Sequence, residues 1–367
     1  MKIGIDTFGC EHGRSGLGSY LLSLTADLPE AADIEYELFG APIDRYTYSS
    51  SKQIGYNSVS VMDNIVAQWL WHFFMANRFS VKRGYDAVLY TAAAHMIPLS
   101  FKVPGIAIVN DCLSAAKKNF LYRTQILEGL KNSAKIIASS QFISNDLKNL
   151  GIDASKIEVI YNGINHSNFY PHPLEDRDTV TIKPFAIKRP YLIYATRMSG
   201  PQKKHIELIR AFTLFKEKTH SPHRLVLTGG NDVFTSEIQK ESAKSSAVSD
   251  IFLTGYFPPD GFPDLYSGAD ACIFPSVNEG VGLPVIEAMA TGIPVACADS
   301  GALREVTGGN AVFFDPDNIE QFSSSIELIV SDRDCREKLI ACGIDWTRRF
   351  QWSETAQKTV ELIKKVL

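Results

Sequence analysis

Long apolar runs are absent from this chain. No stretch approaches the ~18–20 consecutive apolar residues that a spanning helix needs, so a membrane-crossing segment is not expected. Cysteine is scarce, six in 367 residues, and no two form a CxxC pair. Zinc clusters and redox dithiols are therefore not expected, and Cys10, Cys112, Cys272, Cys297, Cys335 and Cys342 read as buried free thiols of a reducing compartment. Excess charge of either sign is lacking: 37 Lys and Arg stand against 41 Asp and Glu, a net charge of −4. Neither half is a basic module, so nucleic acid is not an expected partner. The start, MKIGIDTFG, meets Asp6 where a signal peptide would carry its apolar centre. The expected location is cytoplasmic. A complete dinucleotide fingerprint is missing as well, because GRSGLG lacks the third glycine. Without it and without a Tyr-Lys type pair, a nucleotide-sugar epimerase or dehydrogenase is disfavoured.

What is present is apolar material for two cores. The chain is 45% hydrophobic and 21% charged, the balance of a globular protein too long for one ordinary domain. KIGID, EYELF, DAVLY, GIAIV, KIIAS and IEVIY read as strands in the first half, separated by segments of helical length. YLIYA, RLVLTGG, DIFLTGY, ACIFPS and IPVACAD repeat the alternation in the second. Strands alternating with helices predict α/β architecture, two doubly wound parallel sheets of Rossmann type. The expected domains are 1–170 and 190–350, joined by a proline-bearing linker at 171–189, with a closing helix at 351–367. Ser353 is the expected cap of that helix.

The stretch NEGVGLPVIE, Asn278 to Glu287, concentrates the chemistry. ACIFPS ends a strand, Pro284 suits the first turn of a helix, and Gly292 stops it. The loop between lies at the carboxyl edge of a parallel sheet, where open α/β folds bind ligands. Gly280 and Gly282 let amides approach a ligand, and a helix N-terminus favours a phosphate. Glu287, one turn into the helix, can accept from a pair of hydroxyls, and Glu279 faces the other end. Phosphates in the middle and hydroxyls at both ends describe a nucleotide-sugar. An ordinary helix start with Glu287 exposed and Glu279 favouring the dipole also fits these residues.

EGVGLPVIE resembles the paired-glutamate signature of the family 4 retaining glycosyltransferases. SGLGSY, IYATRMSGPQKKHIELIRAF, VIYNGINHSNF, GYFPPDGFPDLYSGADACIFPS and GIPVACADSGALREVTGGNAVFFDP resemble the family's other segments. The resemblance implies the GT-B fold: two Rossmann-like domains facing each other across a cleft, with the C-terminal helix returning to the first. It implies that Arg197 and Lys203 neutralise the donor diphosphate without a metal. Gly16, in a loop with Gly18, would approach the same diphosphate. The backbone of Val281, Gly282 and Leu283 would complete the cradle, Glu287 would hold the ribose, and Glu279 would steady charge on the sugar. Tyr256 sits where the family holds the base. Where the family usually has His-Asp, this chain has Asn110-Asp111; Asn110 can hydrogen-bond a sugar but cannot shuttle a proton. Val281 replaces a common phenylalanine. His95, just after a strand, is a further candidate for contact with sugar or acceptor, with a packed or solvated role as the alternative. Asp315–Asp317, DPD, imitates the metal motif of the other glycosyltransferase fold, but Pro316 marks a turn.

The expected activity is therefore retaining, metal-independent transfer of a hexose from GDP-mannose or a UDP-hexose. The expected acceptor is a saccharide or lipid-linked saccharide of a surface polysaccharide. No cofactor is expected, the nucleotide-sugar being a substrate. A non-catalytic nucleotide-sugar binding or scaffold protein of the same fold is the alternative. Residues 65–79, IVAQWLWHFFMANRF, read either as a buried helix or as an interfacial helix contacting the inner face of the membrane.

Overall fold

The computed structural model describes residues 1–48, 54–115, 120–172, 179–182, 185–230 and 232–367. The chain divides into two compact units, one of residues 1–163 with 350–367, the other of residues 164–349.

The first unit is built on β1 (Lys2–Asp6), β2 (Glu35–Gly40), β3 (Gly55–Ser58), β4 (Ala87–Tyr90), β5 (Gly105–Val109), β6 (Lys135–Ala138) and β7 (Ile157–Val159). They pair in parallel in the order β3-β2-β1-β4-β5-β6-β7. The inner strands are nearly continuous runs of Ile, Val, Leu and Ala because both faces are covered. Alternate residues enter two cores: Ile5, Leu89, Ile106 and Ile108 pack with Leu21 and Leu24, whereas Val88, Ala107 and Val109 pack with Ile126, Leu130 and Ile143.

The helix Trp352–Lys364 belongs to this unit although it ends the chain. Trp352 meets Tyr20 edge to face at 5.4 Å, and Val360, Leu362 and Ile363 are buried in the same core. Each such side chain contributes roughly 1.5–3 kcal/mol by burial. Gly163 has no room for a side chain, since a Cβ there would lie 2.3 Å from the Trp352 amide. The helix cap is Gln351, whose side chain makes no capping bond, and Ser353 lies inside the first turn. Ser353 therefore does not cap: Trp352, drawn into the core, starts the helix two residues earlier.

The second unit carries β10 (Tyr191–Ala195), β11 (Arg224–Thr228), β12 (Ile251–Gly255), β13 (Ala271–Phe274), β14 (Val295–Ala298) and β15 (Val312–Phe314), after a small hairpin of β8 (Thr179–Ile182) and β9 (Phe185–Lys188). The large sheet is parallel in the order β12-β11-β10-β13-β14-β15. The stretch expected as a linker thus contributes structure to this unit. Phe185 stacks on Phe257 at 5.5 Å and Ile187 joins the core, which ties β9 to the sheet. The hairpin was illegible because each strand is only four residues and prolines flank them.

In both sheets the order reverses beside the first strand, between β1 and β4 and between β10 and β13. The carboxyl ends of those pairs are the topological switch points where doubly wound folds bind ligands. Cys10, Cys112, Cys272 and Cys297 are buried free thiols; Cys335 is only partly buried and Cys342 is exposed, both on the helix Arg333–Thr347.

Candidate active site

The switch point of the second unit gathers Arg197, Lys203, Glu279 and Glu287. After β10 the chain runs through Arg197 to a single turn of 3-10 helix, Pro201–Lys203. The amide of Val277 donates to the Gln202 carbonyl at 3.0 Å, stitching this turn to the loop that follows β13. That stitch brings Lys203 Nζ to 2.6 Å from Glu279 Oε1. Ser276, fully buried at the end of β13, donates its hydroxyl to the same carboxylate oxygen. Arg197 is exposed on the same strand end.

The loop holding Glu279 is rigid for local reasons. Asn278 takes a left-handed conformation, φ 61°, and its amide donates to Ser300 Oγ at 3.2 Å. The Glu279 carbonyl accepts from Ala302 N at 2.8 Å. Gly282 is also left-handed, φ 72°, and a Cβ there would lie 2.7 Å from Leu303 Cδ2. Backbone conformation and Leu303 therefore account for this glycine without a ligand. Leu283–Ala290 is the helix, with Pro284 in its first turn. Gly292, φ 80°, follows its end.

Glu287 lies one turn in, largely buried, and no side chain among the described residues donates to it. Burial pushes its carboxyl up to about 7. Its charge is felt by the buried Tyr266 hydroxyl, which has no hydrogen-bond partner among the described residues either. A desolvated carboxylate to which no described side chain donates keeps its full capacity to accept hydrogen bonds. Val281 and Leu283 flank the αL turn, partly buried, and Tyr256 stands 67% exposed just past β12. His205, behind Lys203, has both ring nitrogens buried and without a hydrogen-bond partner among the described residues. Burial, and then the Lys203 charge, hold its imidazole down at about 4, so it stays neutral.

In the first unit the loop after β1 carries left-handed residues at Gly9, Glu11, His12 and Gly13. Ser15 caps the helix Gly16–Asp27 by accepting from Gly18 N at 3.1 Å. Gly16 is open, with nothing within 4 Å of a would-be Cβ. Gly18 is different: a Cβ would lie 2.5 Å from the Cys10 carbonyl oxygen. The packing of its own loop is enough to require glycine there.

At the ends of β4 and β5, His95 Nε2 sits 2.9 Å from Asp111 Oδ2. Asn110, next to that pair, has a buried side-chain oxygen with no partner among the described residues. The sequence brought His95 and Asn110 forward separately; the sheet makes them neighbours with Asp111. Four residues escaped sequence reading. Asp6, at the end of β1, lies 2.6 Å from the fully buried His72 and also accepts from Phe8 N at 2.9 Å. His12 Nδ1 lies 2.6 Å from Asp44 Oδ1. These partners are far apart in the chain, and nothing local announces them.

The acidic run at Asp315 is a turn, Asp315 Oδ1 accepting from Asp317 N at 3.0 Å, and Asp317 pairs with Lys204. Among the described residues no group of three or more His, Cys, Asp or Glu side chains could hold a metal ion.

Two family profiles cover most of the sequence: that of "Glycosyltransferase Family 4" over residues 14–168 and that of "Glycosyl transferases group 1" over residues 178–346. The chain belongs to the family 4 type of GT-B glycosyltransferases. This glycosyltransferase is 25% identical over 336 residues to the O-antigen chain mannosyltransferase RfbU of Salmonella typhimurium, covering 86% of this chain and 88% of that one. It is 29% identical over 174 residues to O-antigen chain mannosyltransferase B of Escherichia coli, a match over 47% of this chain that spans 45% of that relative's length. In fold it resembles HepE of Anabaena, solved in complex with UDP and glucose, with a TM-score of 0.78 at 17% identity over the whole of both chains.

Proposed function

We propose that this glycosyltransferase transfers a hexose, with retention, from a nucleoside-diphosphate-sugar to a saccharide or lipid-linked saccharide of a surface polysaccharide. The observation that carries the reading is the arrangement at the second switch point. The Lys203–Glu279 pair lies on one side of the αL turn, and the desolvated Glu287 carboxylate lies a helical turn beyond it. In this reading Glu287 accepts from the two ribose hydroxyls. The diphosphate lies over the amides at the start of Leu283–Ala290. Lys203 and Arg197 stabilise the charge that builds on the leaving phosphate. Fixed cations there make a metal unnecessary. Glu279 steadies the positive charge that develops on the sugar ring. In the first unit, Gly16 is an open backbone position, and Asn110 with the His95–Asp111 pair can hydrogen-bond a saccharide's hydroxyls. Retention follows if the acceptor attacks the face from which the diphosphate leaves, the phosphate oxygen taking the acceptor proton.

The mannosyl donor, GDP-mannose, is favoured by the O-antigen mannosyltransferase relatives. UDP and glucose in the structural neighbour keep a UDP-hexose as the competitor. Thermal stabilisation by a panel of nucleoside diphosphates and their sugars, with EDTA, decides between them, since a ligand that binds only the folded state raises stability by mass action. The expected result is a shift with one base that survives EDTA and is lost in Glu287→Ala. Absence of any shift at millimolar nucleotide would overturn the donor site.

A further inference from the structure

The helix Ile65–Phe74 exposes its apolar side. Its inward side is anchored by His72, fully buried and 2.6 Å from Asp6, and by Trp71, which packs on Phe8 at 5.2 Å and on Phe79 at 5.5 Å. The outward side carries Ile65, Val66, Leu70, Phe73 and Phe74, spaced by three and four residues, with Met75 at the end. Ile65 is 60% exposed and Phe74 64%. A helix that binds its polar histidine inward and turns phenylalanines outward is the reverse of an ordinary surface helix. Contiguous exposed apolar groups of this kind mark an interaction face.

Charge identifies the partner. From Asn64 to Tyr85 there is no Asp or Glu, while Arg78, Lys82 and Arg83 follow the apolar helix directly. In the next helix, Ala76–Arg83, the exposed residues are Arg78, Val81 and Lys82. Arg83 is occupied by Glu37, to which it donates from Nε at 2.8 Å; no described residue pairs with Arg78 or Lys82. Among the described residues no helix is long and apolar enough to cross a membrane. A short helix with an outward apolar stripe followed by unpaired cations suits the boundary of an anionic bilayer, where shallow insertion and headgroup attraction each supply part of the binding.

We propose that the exposed face of Ile65–Phe74, with Arg78 and Lys82, docks this protein on an anionic lipid bilayer. The interaction is independent of the donor site and adds to it. Asp6, which holds His72, also fixes the Phe8 amide at the start of the β1 loop. Docking therefore fixes that loop at a short, rigid remove from the lipid.

The test is sedimentation of the full chain with phosphatidylcholine vesicles, with and without phosphatidylglycerol, at low and high salt. The variants are Val66→Ser with Leu70→Ser and Phe74→Ser, and Arg78→Gln with Lys82→Gln. All five positions are exposed, and urea unfolding checks that each variant keeps the wild-type midpoint. The expected result is binding to phosphatidylglycerol vesicles that weakens at high salt, falls at least tenfold in the charge variant and is lost in the serine variant. No wild-type binding to those vesicles overturns the proposal, as does equal binding of wild type and charge variant. A soluble dimer that dissociates in the serine variant also overturns it, by assigning the face to a second copy of this chain.

Discussion

Lys203 and Glu279, 76 residues apart, stand as an ion pair at 2.6 Å at the switch point of the second unit. Each side chain is about one-fifth exposed, 21% and 19%, so the pair is neither a solvated surface contact nor a sealed core bridge. Its work at rest is positional. Glu279 holds the ammonium of Lys203 at the switch point, and Ser276 holds Glu279. A charge already fixed in place costs no reorganisation when negative charge develops beside it.

Lys203→Gln is expected to lower turnover by roughly 10²–10³, the usual cost of one electrostatic group aimed at transition-state charge. Steady-state kinetics on the donor identified by thermal shift measures it. A kcat within threefold of wild type would remove Lys203 from the chemistry.

Glu287 gives a prediction with opposite signs for stability and binding. Its folded-state carboxyl is raised to about 7, so between its ordinary value and about 7 the folded state holds the extra proton. Stability contributed by that proton is full at low pH and is lost as pH rises through this window. Glu287→Gln, which removes the uncompensated charge, is expected to raise Tm at pH 8 and to leave it nearly unchanged at pH 5, while abolishing the nucleotide-induced shift. Scanning calorimetry of both proteins at the two pH values reads all three outcomes.

His12 has the same sign for a different reason. Its hydrogen bond to Asp44 is the main cause that raises its imidazole above the ordinary value, with Asp63 adding to it. The stability that this contributes is complete below about pH 6.5 and disappears as pH rises through the higher folded-state value. Urea midpoints of wild type and His12→Gln are expected to differ at pH 5.5 and to converge at pH 9.

Gly282→Ala adds a Cβ at φ 72° and 2.7 Å from Leu303. Gly309→Ala adds one at φ 79° into open space. The second variant carries only backbone strain, about 1–2 kcal/mol, whereas the first adds overpacking of ~1–3 kcal/mol. Chemical denaturation is expected to rank Gly282→Ala clearly below Gly309→Ala; equal losses would mean that Leu303 yields without cost.

The α/β class was legible because strand and helix signals are local. Runs such as YLIYA and ACIFPS need only their own β-branched and aromatic residues, and the turn before Leu283–Ala290 announces itself through Pro284 and Gly292. The glycines were legible as special positions, but their reasons were not. Gly18 answers to Cys10 and Gly282 to Leu303, partners that only packing supplies. The apolar stripe of residues 65–79 was equally visible, yet periodicity cannot say which side of a helix is covered. A histidine held 66 residues away by Asp6 turned that stripe outward. What the sequence determined by itself is therefore what φ, ψ and neighbours within one helical turn decide: element types, the two-sheet pattern, the glutamate loop. What the tertiary structure decided is what strand order decides. Parallel crossovers set β10 beside β13 and β4 beside β5. Only that adjacency pairs Lys203 with Glu279 and His95 with Asp111, and only burial raises the carboxyl of Glu287.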